Sequence, residues 1–197
     1  SINHKKRIIN NIFIIKIIYK SGNSMYKKII RAFTIVELII CIAIIAIVAS
    51  IALPYFHEYR SKQEAKNIPI KLSQINRYAR SQAAVFHQNI VICPSQDSLS
   101  CQANQWNKNM LVFIDKNKNR QVDVDEQILH IDVLNLKYGN LSWRGTLSLP
   151  SVTYQAHTAL PIGSNGSFYY CSTHLSNQQR IVLSKMGHIR IESLSSC

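Results

Sequence analysis

The sequence predicts an α+β fold: one long N-terminal α-helix that spans a membrane and then packs on an antiparallel β-sheet domain. Three observations carry that expectation. Phe33 to Leu53 is an apolar run of 21 residues whose only charged member is Glu37. From Ile68 to Phe86, apolar residues recur at spacings of three and four. From Ile90 onward, short runs rich in β-branched and aromatic residues are separated by polar turns. One helix followed by a series of strands is the pattern of a helix covering one face of a sheet.

The elements follow in order. Residues 1–32 read as a basic leader. The chain opens on Ser, and residues 1–24 are dominated by Ile, Asn, Lys and Tyr, so the expected start of translation is Met25, which leaves a leader of eight residues. The run from Ile8 to Tyr19 is interrupted by Asn10, Asn11 and Lys16 and is too short to span a bilayer. Residues 33–54 form the membrane helix. At about 1.5 Å per residue, 21 residues match the ~30 Å hydrocarbon core. A secretory signal would have a shorter apolar run followed by a small-residue cleavage site; here the run ends at Leu53-Pro54 and stays on the mature chain.

Residues 55–89 continue the helix. Ile68, Leu72, Ile75, Ala79, Ala83 and Phe86 would line its buried face, and Pro69 would kink or break it. Lys71, Arg77 and Arg80 fall on the opposite, solvated face. Residues 90–197 form the sheet domain, with strands expected at Ile90 to Cys93, Met110 to Ile114, Gln127 to Val133, Val152 to Gln155, Ser167 to Ser172, Arg180 to Lys185 and His188 to Glu192.

Charge and cysteines narrow the setting. The chain carries a formal +13, but residues 1–32 hold eight Lys or Arg and no acid, so their removal leaves +5. Flanking charge does not orient the helix, because Lys27, Lys28 and Arg31 before it face Arg60, Lys62 and Lys66 after it. Cys41 lies in the apolar run, where a thiol behaves as a small apolar group. The other four cysteines, Cys93, Cys101, Cys171 and Cys197, are an even number and suit an oxidising compartment, here a periplasm. Four cysteines admit three pairings, and sequence does not choose among them; Cys93 with Cys101 across a short polar loop, then Cys171 with Cys197, is the pairing expected. No Cys-x-x-Cys pair or close His pair points to zinc.

The basic leader, Ala32, then Phe33-Thr-Ile-Val-Glu-Leu38 and a long apolar helix with Pro54 near its end resemble the type IV prepilin family. The resemblance implies that a membrane peptidase cuts between Ala32, where most members have Gly, and Phe33, and methylates the new Phe33 amine. It also implies that Glu37 of one subunit neutralises the Phe33 amine of its neighbour during assembly. The later segments Ala79-Arg80-Ser81, Cys93-Pro94-Ser95, Leu111 to Asn119, Gly166-Ser167-Phe168 and Arg180 to Arg190 look like the GspH/FimT branch of minor pilins and pseudopilins. The implied fold is the pilin fold. The implied partners are other pilin or pseudopilin subunits, prepilin peptidase and the bacterial inner membrane, with the domain periplasmic and later part of a pilus or a type II secretion pseudopilus.

Two constellations invite chemistry. Asp115, Asn117, Asn119, Gln121, Asp123 and Glu126 fall at positions one, three, five, seven, nine and twelve of a calcium-loop pattern. However, Arg120 stands where that pattern wants Gly, and Lys116 and Lys118 add positive charge, so a self-satisfied polar hairpin is the expected structure, with no metal or other cofactor. Gly187-His188-Ile189-Arg190, with Lys185 and Arg180 nearby, resembles the C-terminal Gly-Arg-x-Arg motif of FimT-type minor pilins that bind double-stranded DNA in uptake. Here His188 replaces an Arg, so one phosphate contact would be weaker or pH-dependent. The contrasting class, a membrane-anchored periplasmic enzyme, finds no support. The seven His residues are scattered, without a nucleophile motif or a Gly-rich phosphate loop.

Overall fold

Residues 34–173 and 178–197 are described by the computed structural model. The leader, the Ala32-Phe33 junction and the Phe33 amine lie outside them. The chain divides into two compact units that meet between Ile47 and Val48, and the helix α1, Ile35–Phe86, contributes to both.

In the first unit, Thr34 begins the helix. Its Oγ1 accepts the Glu37 N–H at 3.3 Å, and its carbonyl accepts the Leu38 N–H at 3.2 Å. Thr34-x-x-Glu37 has the spacing of a capping box, with a hydroxyl satisfying one of the free N–H groups of the first turn. The following apolar side chains are exposed in the isolated subunit, Ile39, Ile42 and Ile47 each by more than half. The helix is long and apolar enough to cross a membrane.

In the second unit, α1 continues as the packed helix of the domain. Ala65, Ile68, Leu72, Ile75, Ala79 and Ala83 are all buried. Each fully buried Ile or Leu on that stripe contributes about 2 kcal/mol of transfer free energy. Phe86, expected on the stripe, is instead 43% exposed, because the helix ends there and β1 starts at Asn89. Pro69 does not break the helix, which runs through it without interruption. Lys71 is not a free surface residue either: its Nζ donates to Asp132 Oδ1 at 2.8 Å and to the Val133 carbonyl at 3.0 Å.

The strands form two antiparallel sheets rather than one. The first has the order β3-β2-β1-β5, with β1 Asn89–Ser95, β2 Asn109–Asp115, β3 Ile128–Val133 and β5 Val152–Tyr154. The second has the order β4-β6-β7-β8, with β4 Gly139–Gly145, β6 Gly166–Ser172, β7 Gln179–Leu183 and β8 Ile189–Ser193. Strand β4 escaped the sequence because Gly-Asn-Leu-Ser-Trp-Arg-Gly lacks β-branched residues; its alternation of Leu141 and Trp143 was the available signal.

Strand periodicity sorts the core. Ile90 and Ile92 of β1 pair with Ile114 and Val112 of β2 and join the α1 stripe, Tyr154, Phe168, Tyr170 and Ile181 in the main cluster. Val91 and Cys93 pair with Phe113 and Leu111 and form a second cluster on the other face, packed by Cys101, Val122 and Ile128. Both strands are therefore apolar without alternation, as strands covered on two faces are. Trp106, in the long β1–β2 connection, is buried edge-to-face on Phe168 with ring centroids 4.9 Å apart.

Candidate functional site

Four regions named by the sequence can be located. At the start of α1, the Glu37 N–H is held by Thr34, and the Glu37 carboxylate has no ion pair among the described residues. Glu37 is exposed. Among the described residues the acid is thus uncommitted, capped through its backbone and unpaired in its side chain. Its sequence-assigned partner, Phe33, lies outside the described residues.

The cysteines are joined as Cys93–Cys101, S–S 2.01 Å, and Cys171–Cys197, S–S 2.12 Å. Cys41 is a free, exposed thiol. Asp97 organises the loop closed by the first disulfide: its carboxylate accepts the N–H groups of Leu99 and Ser100 and the hydroxyls of Ser100 and Ser95. Those donors, led by the Leu99 and Ser100 N–H groups, hold its carboxyl well below the usual carboxylate range.

Most polar groups of the Asp115–Glu126 loop bond within it, although the buried Asp115 Oδ1 has no hydrogen-bond partner among the described residues. Asp115 Oδ2 accepts the Arg120 N–H, Asn117 Oδ1 that of Asn119, and Asn119 Oδ1 that of Gln121. Glu126 accepts the N–H groups of Lys116 and Asp123. The amide Nδ2 groups of Asn117 and Asn119 both donate to Asp123 Oδ2 at 2.7 Å. Donors therefore point where a cation would need acceptors. Arg120, at a positive φ of 62°, turns its guanidinium to Ser164 Oγ at 3.1 Å; burial lowers its pKa against the opposing attraction of Asp115. Among the described residues no group of three His, Cys, Asp or Glu is placed to hold a metal. The expected result is a thermal melt of the full chain that ignores added calcium and chelator. A rise of roughly 5 °C or more, the size a ligand at a hundred times its Kd confers, would overturn this.

The C-terminal basic residues lie on the β7–β8 hairpin, which turns at Gly187 with φ 77°. The turn is closed by Gly187 N–H to the Ser184 carbonyl and Ser184 N–H to the His188 carbonyl. Asn76 Nδ2, from α1, donates to the Gly187 carbonyl at 2.9 Å and ties the turn to the helix. Lys185 and His188 are exposed at the tip. Both arginines are engaged with one acid: Arg190 Nη2 lies 2.7 Å from Glu192 Oε1, and Arg180 Nη1 3.4 Å from Glu192 Oε2. The motif therefore does not present two unneutralised guanidinium groups.

Two residues that matter were not legible as functional. Asn76 and Glu64 each sit four positions from a stripe residue, Leu72 and Ile68, and a polar residue at core spacing was the signal. Glu64 accepts from the Lys137 and Tyr138 N–H groups and from Tyr170 Oη at 2.9, 3.0 and 2.9 Å, so it joins α1 to the β3–β4 connection and to β6.

The profile of the Type II transport protein GspH matches residues 71–187, and that of the prokaryotic N-terminal methylation motif matches residues 27–53. Among curated proteins no sequence matches. The type IV minor pilin FimU of Pseudomonas aeruginosa is similar at 17% identity and a TM-score of 0.43, over 70% of this chain and 92% of FimU. The minor pseudopilin EpsH from the Type 2 Secretion System of Vibrio cholerae is similar at 10% identity and a TM-score of 0.44, over 66% of this chain and 97% of EpsH. With the GspH profile covering more than half of its length, the chain belongs to the GspH family of type IV pilin-like subunits, a membrane-anchored structural protein with an N-terminal methylation motif and not an enzyme.

Proposed function

We propose that this chain is a minor pilin or pseudopilin, made as a precursor, cut by prepilin peptidase between Ala32 and Phe33, methylated on the new amine, and assembled into a type IV pilus or a type II secretion pseudopilus. The observation that carries the reading is the uncommitted Glu37 carboxylate at the capped start of an exposed apolar helix. In lipid or in a fibre, such a carboxylate needs a cationic partner, and the amine of a neighbouring Phe33 is one of matching charge. The two disulfides support a periplasmic domain, because thiols pair and stay paired in that compartment. Intact-mass analysis of the subunit recovered from filaments should give a chain beginning at methylated Phe33. Recovery of working filaments whose subunits retain residues 25–32 would defeat the proposal.

DNA uptake is the competing role. The pairing of Arg180 and Arg190 with Glu192 does not favour it, since the shared acid offsets one of the two guanidinium charges and leaves a net of +1 for phosphate contacts.

A further inference from the structure

Between α1 and the β7–β8 hairpin runs a groove of about 720 Å³. Lys66, Ile70, Arg77 and Arg80 form its helix wall, Ile189 and Ile191 its strand wall, and no Asp or Glu lines it. Lys66, Arg77 and Arg80 are exposed and take part in no ion pair among the described residues. The groove is therefore cationic along the helix. It is also partly apolar, with Ile70 and Ile191 each 55% exposed.

The strand wall has a property of its own. Among the described residues no strand pairs with β8 on its outer side. Register fixes which backbone groups face outward. Val182 pairs with Arg190 and Arg180 with Glu192, and the flanking bonds are Ser184 N–H to the His188 carbonyl and Leu194 N–H to the Gln178 carbonyl. Because bonded and non-bonded pairs alternate in an antiparallel ladder, Arg190 and Glu192 bond to β7, while the N–H and C=O groups of Ile189, Ile191 and Ser193 point away from it. An edge of this kind accepts a further strand unless something covers it.

We propose that the groove receives an extended acidic segment of a partner polypeptide, which adds as a fifth strand on β8 and sets its carboxylates against Lys66, Arg77 and Arg80. The dimensions fit: Lys66 to Arg80 spans about 21 Å along the helix, the length of about six extended residues. A peptide meets all three features of the groove. Its backbone pairs with Ile189 and Ile191, its acids answer the three cations, and its apolar side chains cover Ile70 and Ile191. Duplex DNA answers only the cations and leaves the strand edge and both isoleucines unmatched.

The test uses the full chain in detergent micelles and a labelled peptide of about six residues alternating Glu and Val. The Glu-Val peptide should bind, a Lys-Val counterpart should not, and Arg77→Ala with Arg80→Ala should weaken binding about tenfold or more. Hydrogen exchange at the Ile191 N–H should slow on binding, a readout that a purely electrostatic contact would leave unchanged. Ile191→Pro removes that outward N–H without removing a bond to β7, and should also weaken binding. The proposal is overturned if the Lys-Val peptide binds as well, if the Ile191 N–H exchanges unchanged in the wild-type complex, if no peptide binds, or if the protein takes a short DNA duplex in preference to the acidic peptide.

Discussion

Glu37→Val is expected to leave the precursor in the membrane at normal abundance and to lower its incorporation into filaments about a hundredfold or more. The reasoning starts at Thr34. Its hydroxyl caps the helix through the Glu37 backbone, so the cap survives loss of the side chain and α1 still forms. Valine makes the first turn more apolar, so insertion is not impaired. What is lost, on the proposed role, is the acid that answers the neighbour's amine. Leaving one charge of a desolvated pair without its partner costs about 3–5 kcal/mol, which is a factor of a hundred or more in assembly. Glu37→Gln keeps shape and hydrogen bonding but not charge, and should resemble Val rather than wild type. Mass-spectrometric ratios of subunit in sheared filaments to subunit in membranes read the effect, and equal ratios for wild type and Val would refute the ion-pair role.

The second large effect is structural. Glu64→Ala should destabilise the β domain by about 3 kcal/mol, because one helical carboxylate takes three bonds from the opposite side of the core, two from backbone N–H groups and one from the hydroxyl of Tyr170. For a domain of this size that is a melting temperature lower by roughly 6–12 °C. Tyr170→Phe removes the bond to Glu64 and the one with Ser172, and should cost about 1–2 kcal/mol. The pair also has a pH signature. Burial first, and then the hydrogen bond to Glu64, push the Tyr170 hydroxyl above the ordinary phenol value, and burial does the same for Tyr154 against the attraction of Arg80. A folded pKa above the unfolded one means stability that is complete below the unfolded pKa of about 10 and is lost as pH rises beyond it. Melts of the wild type should therefore fall off in strong alkali, and Tyr170→Phe should flatten that decline only in part, since Tyr154 still titrates. A Glu64→Ala melt within about 1 °C of wild type would show that water replaces the carboxylate at all three donors.

What the sequence made legible follows from where its signals were strong. The apolar run and the Ile68–Ala83 stripe each repeat one physical requirement many times, so the membrane helix and the packed helix were both readable. The strands at Ile90 and Met110 were readable for the same reason. Strand β4 was not, because its place comes from pairing with β6 and from the Trp143 indole donating to the Leu149 carbonyl, not from its own propensities. The division into two sheets is a matter of tertiary pairing, and no local pattern encodes it. The basic hairpin shows the limit most clearly. Arg180, Arg190 and Glu192 read as separate surface charges until the ladder sets both guanidinium groups on one acid. Conversely, Arg77 and Arg80 read as an ordinary solvated face, and only the position of β8 makes them one wall of a groove.

The Cys93–Cys101 link lies on the face of the first sheet that carries the smaller cluster of Val91, Leu111 and Phe113. On the proposed topology, this clasp cannot lock until the polypeptide has emerged from the reducing side of the bilayer. The second link, Cys171–Cys197, ties β6 of the helix-packed sheet to the C-terminal residue, so on that topology both halves of the domain are clasped only after translocation. On the proposed topology, a subunit still in transit would therefore differ from a finished one by two open thiol pairs.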